Sequence, residues 1–248
     1  MKIKIVNPNT TWSMTDKMQA CARQVAAAGT QILAVSPSMG PVSIESHYDE
    51  ALAVPGLIEE IRKGQAEGCD AYVIACFGDP GLDAARELAS GPVIGIAEAA
   101  MHCASLLGTG FSVVTTLGRT CGQAWHLAER YGMTRFCRNV RACELPVLAL
   151  EEPGSDARRI IEAECRRALH EDRSDVIVLG CAGMADLGAA LARELGVPVV
   201  EGVSAAVKLA ESLVALGCKT SKRGDYAAPP PKPYEGELAR FSLQARTD

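Results

Sequence analysis

Two stretches of this chain carry side chains suited to proton transfer at carbon. Asp70-Ala-Tyr-Val-Ile-Ala-Cys76-Phe-Gly78 and Asp175-Val-Ile-Val-Leu-Gly-Cys181-Ala-Gly183 are each an apolar run ending in Cys-x-Gly. Each leads into a helical pattern and then a Pro-Val strand, Pro92-Val-Ile-Gly95 and Pro198-Val-Val200. Cys76 and Cys181 lie 105 residues apart (181 − 76), close to half the chain. Two related lobes would each offer one thiol at the end of a central strand. Facing lobes would set those thiols on opposite sides of one cleft. One could then remove a proton from a carbon while the other returned one from the opposite face.

A single cysteine of this kind reads best as a small buried hydrophobe. The matched positions favour chemistry instead. A thiol between a buried strand and a helix N-terminus feels the positive end of the helix dipole, which lowers its pKa. Gly78 and Gly183 allow close backbone approach to a ligand. Asp79-Pro80 and Asp186 are suited to helix starts. The other eight of the ten cysteines have no matched partner.

Further polar turns repeat between the halves. Lys4-Ile-Val-Asn-Pro-Asn-Thr10 and Ser112-Val-Val-Thr-Thr-Leu-Gly118 each run from a strand into a polar turn before a helix. Asn7 and Asn9 can cap that helix or hold a carbonyl or N–H group of a ligand. Thr115 and Thr116 have the same two readings. Gly40-Pro-Val-Ser-Ile-Glu-Ser-His47 reads as a loop over the cleft mouth, with Ser43 as a hydrogen-bonding group and Ile44 as an apolar wall. Glu45 and His47 belong on a solvated helix start. There is no Ser-His-Asp pattern, no P-loop and no G-x-G-x-x-G after a first strand.

The elements that must position these groups alternate. Strands are expected at 3–6, 31–35, 71–75, 93–96, 111–115, 140–143, 176–179 and 197–200. Helices are expected at 14–27, 55–65, 82–88, 98–107, 121–131, 156–169, 187–195 and 205–216. Nearly continuous apolar strands point to parallel sheets covered on both faces, and the alternation to right-handed βαβ units. The expected fold is α/β: two pseudo-symmetric lobes, each a mostly parallel sheet flanked by helices, with the site in the cleft between them. The boundaries are 1–98 plus 206–248 for the first lobe and 99–205 for the second. Ligands bind such sheets at the strand C-termini, where both kinds of turn fall. The Pro-rich tail, 228–233, should be irregular and cover an edge or a neighbouring subunit.

The 248 residues are 48% apolar but only 4% aromatic, so small aliphatic side chains do the packing. A net charge of −5 without a basic block argues against nucleic acid as a partner. No apolar run is long enough to span a membrane, and the first residues enter a strand without an export signal. Ten cysteines with no Cys-x-x-Cys pair suit reduced thiols in a cytoplasm better than disulfides or zinc.

These residues resemble the Asp/Glu/hydantoin racemase superfamily, and within it the hydantoin and allantoin racemases. The resemblance covers nearly the whole chain. It runs through Asn7-Pro-Asn-Thr10, Gly40-Pro-Val-Ser-Ile-Glu45, Cys76-Phe-Gly-Asp-Pro-Gly81, Gly95-Ile-Ala-Glu-Ala-Ala100, Val113-Val-Thr-Thr-Leu117 and Gly180-Cys-Ala-Gly-Met-Ala-Asp186. It implies two pseudo-symmetric lobes, a mechanism with two cysteines, no metal and no other cofactor, and a homo-oligomer. Amino-acid racemases carry Cys-Asn-Thr at the thiol turn; Cys-Phe-Gly and Cys-Ala-Gly here fit a flat neutral heterocycle better than a charged carboxylate. The resemblance is strongest to the allantoin branch, which implies a place in purine catabolism. On this reading Cys76 and Cys181 are catalytic, and Asn7, Ser43, Ile44, Phe77, Gly78, Thr115, Thr116, Ala182 and Gly183 contact the substrate. The alternatives are a general racemase of 5-alkyl and 5-aryl hydantoins, a maleate-type cis-trans isomerase, and a binding protein that keeps the cleft without catalysis.

Overall fold

The computed structural model describes residues 1–152 and 154–243. Among these residues eight strands form two parallel sheets of the same topology. The first contains β1 (Lys2–Val6), β2 (Gln31–Val35), β3 (Ala71–Ile74) and β4 (Val93–Gly95), in the order β2-β1-β3-β4. The second contains β5 (Phe111–Thr115), β6 (Cys137–Ala142), β7 (Val176–Leu179) and β8 (Val199–Glu201), in the order β6-β5-β7-β8. The expected α/β fold with two related lobes is therefore the observed one. Every residue of β3, β5 and β7 is buried, as strands covered on both faces require.

Among the described residues eight α-helices flank the sheets: α1 (Trp12–Val25), α2 (His47–Ala66), α3 (Leu82–Leu88), α4 (Ile96–Ser105), α5 (Cys121–Arg130), α6 (Ala157–Glu171), α7 (Gly188–Leu195) and α8 (Gly202–Ala215). Two of them cross between the halves. The fourth helix leaves the first sheet and packs on β7 and β8, while α8 leaves the second sheet and packs on α1, β3 and β4. They meet at their N-termini, where a Cβ on Gly202 would stand 2.5 Å from the Ile96 carbonyl oxygen. The first lobe's expected range reaches 248, of which 244–248 lie outside the described residues.

One boundary departs clearly from the sequence reading. The second helix begins at His47, not at Pro55. Ser46 caps it, its hydroxyl accepting from the Asp49 N–H at 3.1 Å, and Pro55 lies inside it. The carbonyl that Pro55 cannot satisfy belongs to the exposed Ala51. The Pro-rich tail runs back along α2 and α3 of its own chain: Arg62 donates to the Arg240 carbonyl at 2.9 Å, and the Tyr226 hydroxyl to Asp83 at 3.1 Å. Among the described residues no helix is long and apolar enough to cross a membrane.

Candidate active site

The two cysteines follow the central strands β3 and β7, and their turns have matching backbones. The Cys76 carbonyl accepts from the Asp79 N–H at 3.0 Å; the Cys181 carbonyl accepts from the Met184 N–H at 3.1 Å. Each sulfur also has the N–H of the glycine two residues on, Gly78 or Gly183, as a donor. Both thiols line one cleft of about 570 Å³, open mouth included.

Cys76 does not stand directly at a helix start, and Cys181 caps a 3-10 turn rather than an α-helix. The third helix begins six residues after Cys76 and α7 seven after Cys181, with a 3-10 turn (Ala182–Leu187) between. The expectation of a lowered thiol pKa is overturned, and the cause is burial. Burial pushes both thiols up, Cys181 to about 11 and Cys76 well above its ordinary value. A single backbone N–H each does not offset that desolvation. Their surroundings differ in charge. Lys17, which donates to the Gly183 carbonyl at 3.3 Å and pairs with Glu151 at 2.7 Å, favours a thiolate at Cys181. Glu50 and Asp79 oppose one at Cys76.

Asp79 does not start its own helix. Its backbone is left-handed (φ 44°), and its carboxylate accepts from the N–H groups of Ala97 and Glu98 at 3.1 and 3.0 Å. It therefore caps α4, where a carboxylate suits the free amides and the dipole. Burial still raises its pKa to about 6.

Of the residues expected to contact substrate, Ile44, Phe77, Gly78, Thr115, Thr116 and Ala182 line the cleft. Asn7, Ser43 and Gly183 do not. Asn7 is buried beneath the turn, its amide donating to Asn9 at 2.9 Å and to the Thr15 hydroxyl at 3.0 Å. Its neighbour Asn9 reaches the cleft instead. Ser43 is half-buried. Gly183 lies under the Cys181 sulfur, where a Cβ would stand 3.5 Å from Sγ and 2.9 Å from the Leu150 side chain. Thr115 is partly committed: its hydroxyl donates to the Gly180 carbonyl at 3.0 Å.

The cleft also holds side chains that the sequence reading missed: Met14, Glu50, Thr120, Gln123 and Val147. Thr120 and Gln123 begin the helix after β5, as Met14 does after β1, so the internal repeat was a usable signal. Glu50 was hidden by the misplaced start of α2. Val147 comes from a 3-10 segment (Val147–Glu151) whose first N–H donates to the Glu45 carboxylate at 2.7 Å. That bond joins the loop carrying Ile44 to the opposite half, so the cleft mouth has a wall from each.

A sequence profile of Asp/Glu/hydantoin racemases matches residues 3–210, most of the chain. The chain belongs to the Asp/Glu/hydantoin racemase family. As a member it is an isomerase of the racemase type. A hydantoin racemase from Pseudomonas sp. (strain NS671) is 50% identical over 247 residues, covering 100% of this chain and 99% of that protein. The structure of an allantoin racemase from Klebsiella pneumoniae is 55% identical, with a TM-score of 0.96 over 98% of this chain and 99% of the other. The allantoin racemase from Pseudomonas fluorescens is 41% identical, with a TM-score of 0.91 over 95% and 100%.

Proposed function

We propose that this racemase interconverts the C5 enantiomers of allantoin, 5-ureidohydantoin, by proton transfer between Cys76 and Cys181 without a cofactor. The observation that carries the reading is the pair of thiols on matched turns, both lining one cleft. C5 of a hydantoin lies beside a carbonyl, so losing its proton gives a planar enolate. A thiolate on one face takes that proton, and the thiol on the other face supplies one to the enolate carbon. The cysteine roles exchange for the opposite enantiomer.

The charge that develops on the carbonyl oxygen needs donors already in place. The amide of Asn9 and the hydroxyl of Thr116 line the cleft and suit that task. The N–H groups of Gly78 and Gly183 serve the sulfurs instead, steadying each thiolate as it forms. No Lys, Arg or His lines the cleft among the described residues, which favours a neutral ring over a carboxylate substrate. That argues against the maleate-type isomerase, whose two carboxylates would meet no cation there and would face the Glu50 carboxylate. Ten free thiols suit a reducing cytoplasm, in keeping with a place in purine catabolism. A homo-oligomer is part of the same reading.

The general hydantoin racemase is the second reading, because relatives of that name are 50% and 51% identical. The deciding experiment follows racemisation by circular dichroism, and C5 deuteration in heavy water by NMR, on single enantiomers of allantoin and of 5-benzylhydantoin. Racemisation of allantoin with solvent deuterium at C5 is expected. No exchange on either ring would overturn the assignment.

A further inference from the structure

Glu50 is the one carboxylate among the described residues that line the cleft, and its side chain is only 17% exposed. It stands in the first turn of α2, beside the Cys76 turn. A Cβ on Gly78 would fall 1.8 Å from its Oε1, so the carboxylate lies against the backbone of that turn. Gln123, from the other half of the molecule, donates to the same oxygen. Among the described residues the second oxygen has only the exposed His47 ring, at 3.6 Å.

This placement works against the chemistry at Cys76. A negative charge there raises the pKa of a thiol that must ionise, and burial raises the pKa of Glu50 itself. A glutamine or an aliphatic side chain would leave Cys76 the better base. A carboxylate in this position is explained if a bound ligand brings N–H groups to it. Charged acceptors hold such donors more strongly than neutral ones do.

We propose that Glu50 reads the substituent at C5, its carboxylate accepting hydrogen bonds from an N–H-bearing group such as a ureide. The substrate class is then hydantoins whose 5-substituent donates hydrogen bonds. The inference rests on the hydantoin-ring reading above and adds a specificity determinant to it. Hydrocarbon substituents would leave the buried carboxylate desolvated and unpaired, and a site built around such a group rejects them.

The test compares kcat/KM for allantoin and for 5-isopropylhydantoin, which share the ring but not the donor. Glu50→Ala should lower the allantoin value by about 10- to 100-fold, the worth of hydrogen bonds to a charged group. The isopropyl substrate should hold its rate or gain. Glu50→Gln, which keeps size and packing, should fall between. Gln123→Met breaks the cross-cleft contact but keeps the carboxylate, so the ratio of the two substrates should stay within about 3-fold of wild type on the same scale. An unchanged ratio in both Glu50 variants overturns the proposal, as does a ratio that Gln123→Met lowers as far as Glu50→Ala. Wild-type enzyme that racemises neither ring would instead sink the hydantoin reading, and this inference with it.

Discussion

Tyr131, at the end of α5, donates its hydroxyl to the Asp79 carboxylate at 2.7 Å. The bond runs from the second half of the chain to the turn that carries Cys76 in the first. Asp79 also caps α4, so one carboxylate ties the thiol turn, a crossing helix and the opposite lobe together. Gly95 makes room for it: a Cβ there would stand 2.2 Å from the Asp79 carboxyl carbon.

Tyr131→Phe should therefore cost about 1.5–3 kcal/mol, the worth of one hydrogen bond to a charged group. The loss should depend on pH, with a definite sign. Burial holds the folded pKa of Asp79 at about 6, above its ordinary 3.8. The stability contributed by this group is thus fullest below 3.8 and falls as pH rises through about 6. The tyrosine hydroxyl favours the ionised form and limits that fall. Denaturant midpoints of wild type and variant should lie closest together near pH 5 and diverge above about pH 7, where Asp79 is ionised. A gap that is the same at both pH values would argue that the hydroxyl does not act through the carboxylate.

Cys76→Ser and Cys181→Ser should each abolish racemisation, because a serine hydroxyl cannot supply a base near neutral pH. Each variant keeps a thiol on one face. In heavy water each should wash deuterium into C5 of one enantiomer without inverting it, and the two variants should choose opposite enantiomers. Racemisation near the wild-type rate in either variant would rule out two-base chemistry.

The electrostatics separate the two thiols. Desolvation raises both, but at Cys181 Lys17 favours ionisation against smaller opposing effects of Glu151 and Glu45, whereas at Cys76 Glu50 and Asp79 disfavour it with no cation among the described residues to oppose them. Iodoacetamide should alkylate Cys181 before Cys76, as read by peptide mass spectrometry, since reactivity follows the thiolate fraction. With Cys181 at about 11, kcat/KM should still be rising with pH at about pH 9, because the free enzyme binds substrate mainly as dithiol. Lys17→Met should slow the alkylation of Cys181 and leave Cys76 unaffected. A kcat/KM plateau beginning below pH 8, or labelling of Cys76 first, would contradict this.

Much of this architecture was legible in the chain because it rests on repetition. Short apolar runs rich in β-branched residues, such as Val176–Leu179, read as buried strands, and the Cys-x-Gly that follows each of two such runs marks equivalent strand ends. The match between the sheet orders explains why Ala71–Ile74 and Val176–Leu179 look alike. What was not legible depends on contacts between distant segments. Asn7 and Asn9 are the same residue type two positions apart; only folding decides that Asn7 pegs Thr15 while Asn9 faces the cleft. The start of α2 was misread because Pro55 is a strong local signal, and Ser46 with Asp49 outweighs it. Raised thiols could not be foreseen either, since desolvation comes from both lobes at once.

Gly202 provides a test of how the lobes are joined. A Cβ there would meet the Ile96 carbonyl oxygen at 2.5 Å and the Ile96 Cβ at 2.7 Å. Both helices start at that point, so no flexible side chain can yield. Gly202→Ala should destabilise the protein by about 1–3 kcal/mol, the usual cost of overpacking a tight contact. Gly122→Ala, where a Cβ meets nothing within 4 Å, should be neutral or slightly stabilising, since alanine is the better helix former. Thermal melts of the two variants should move in different directions, and a neutral Gly202→Ala would mean that α4 and α8 can slide apart at no cost.

Substrate choice is the last expectation, and it follows from what surrounds Cys76. Phe77 packs into the second lobe's core, among Ala97, Ala100 and Met101, and also faces the cleft. It offers an apolar surface for a flat ring but no hydrogen bond. The polar groups that face the cleft, Asn9, Glu50 and Thr116, are suited to amide-like partners, whereas the Gln123 amide is engaged with Glu50. A benzyl group at C5 would leave some of them buried and unpaired, whereas a ureido group supplies both donors and an acceptor. Allantoin should therefore be turned over better than 5-benzylhydantoin by ~10-fold or more in kcat/KM, since buried polar groups left without partners are costly. Polarimetry on both substrates with the same enzyme preparation measures the ratio directly. If the aromatic substrate is preferred, the enzyme is a general hydantoin racemase, and the polar groups around Cys76 bind the common ring instead of its substituent.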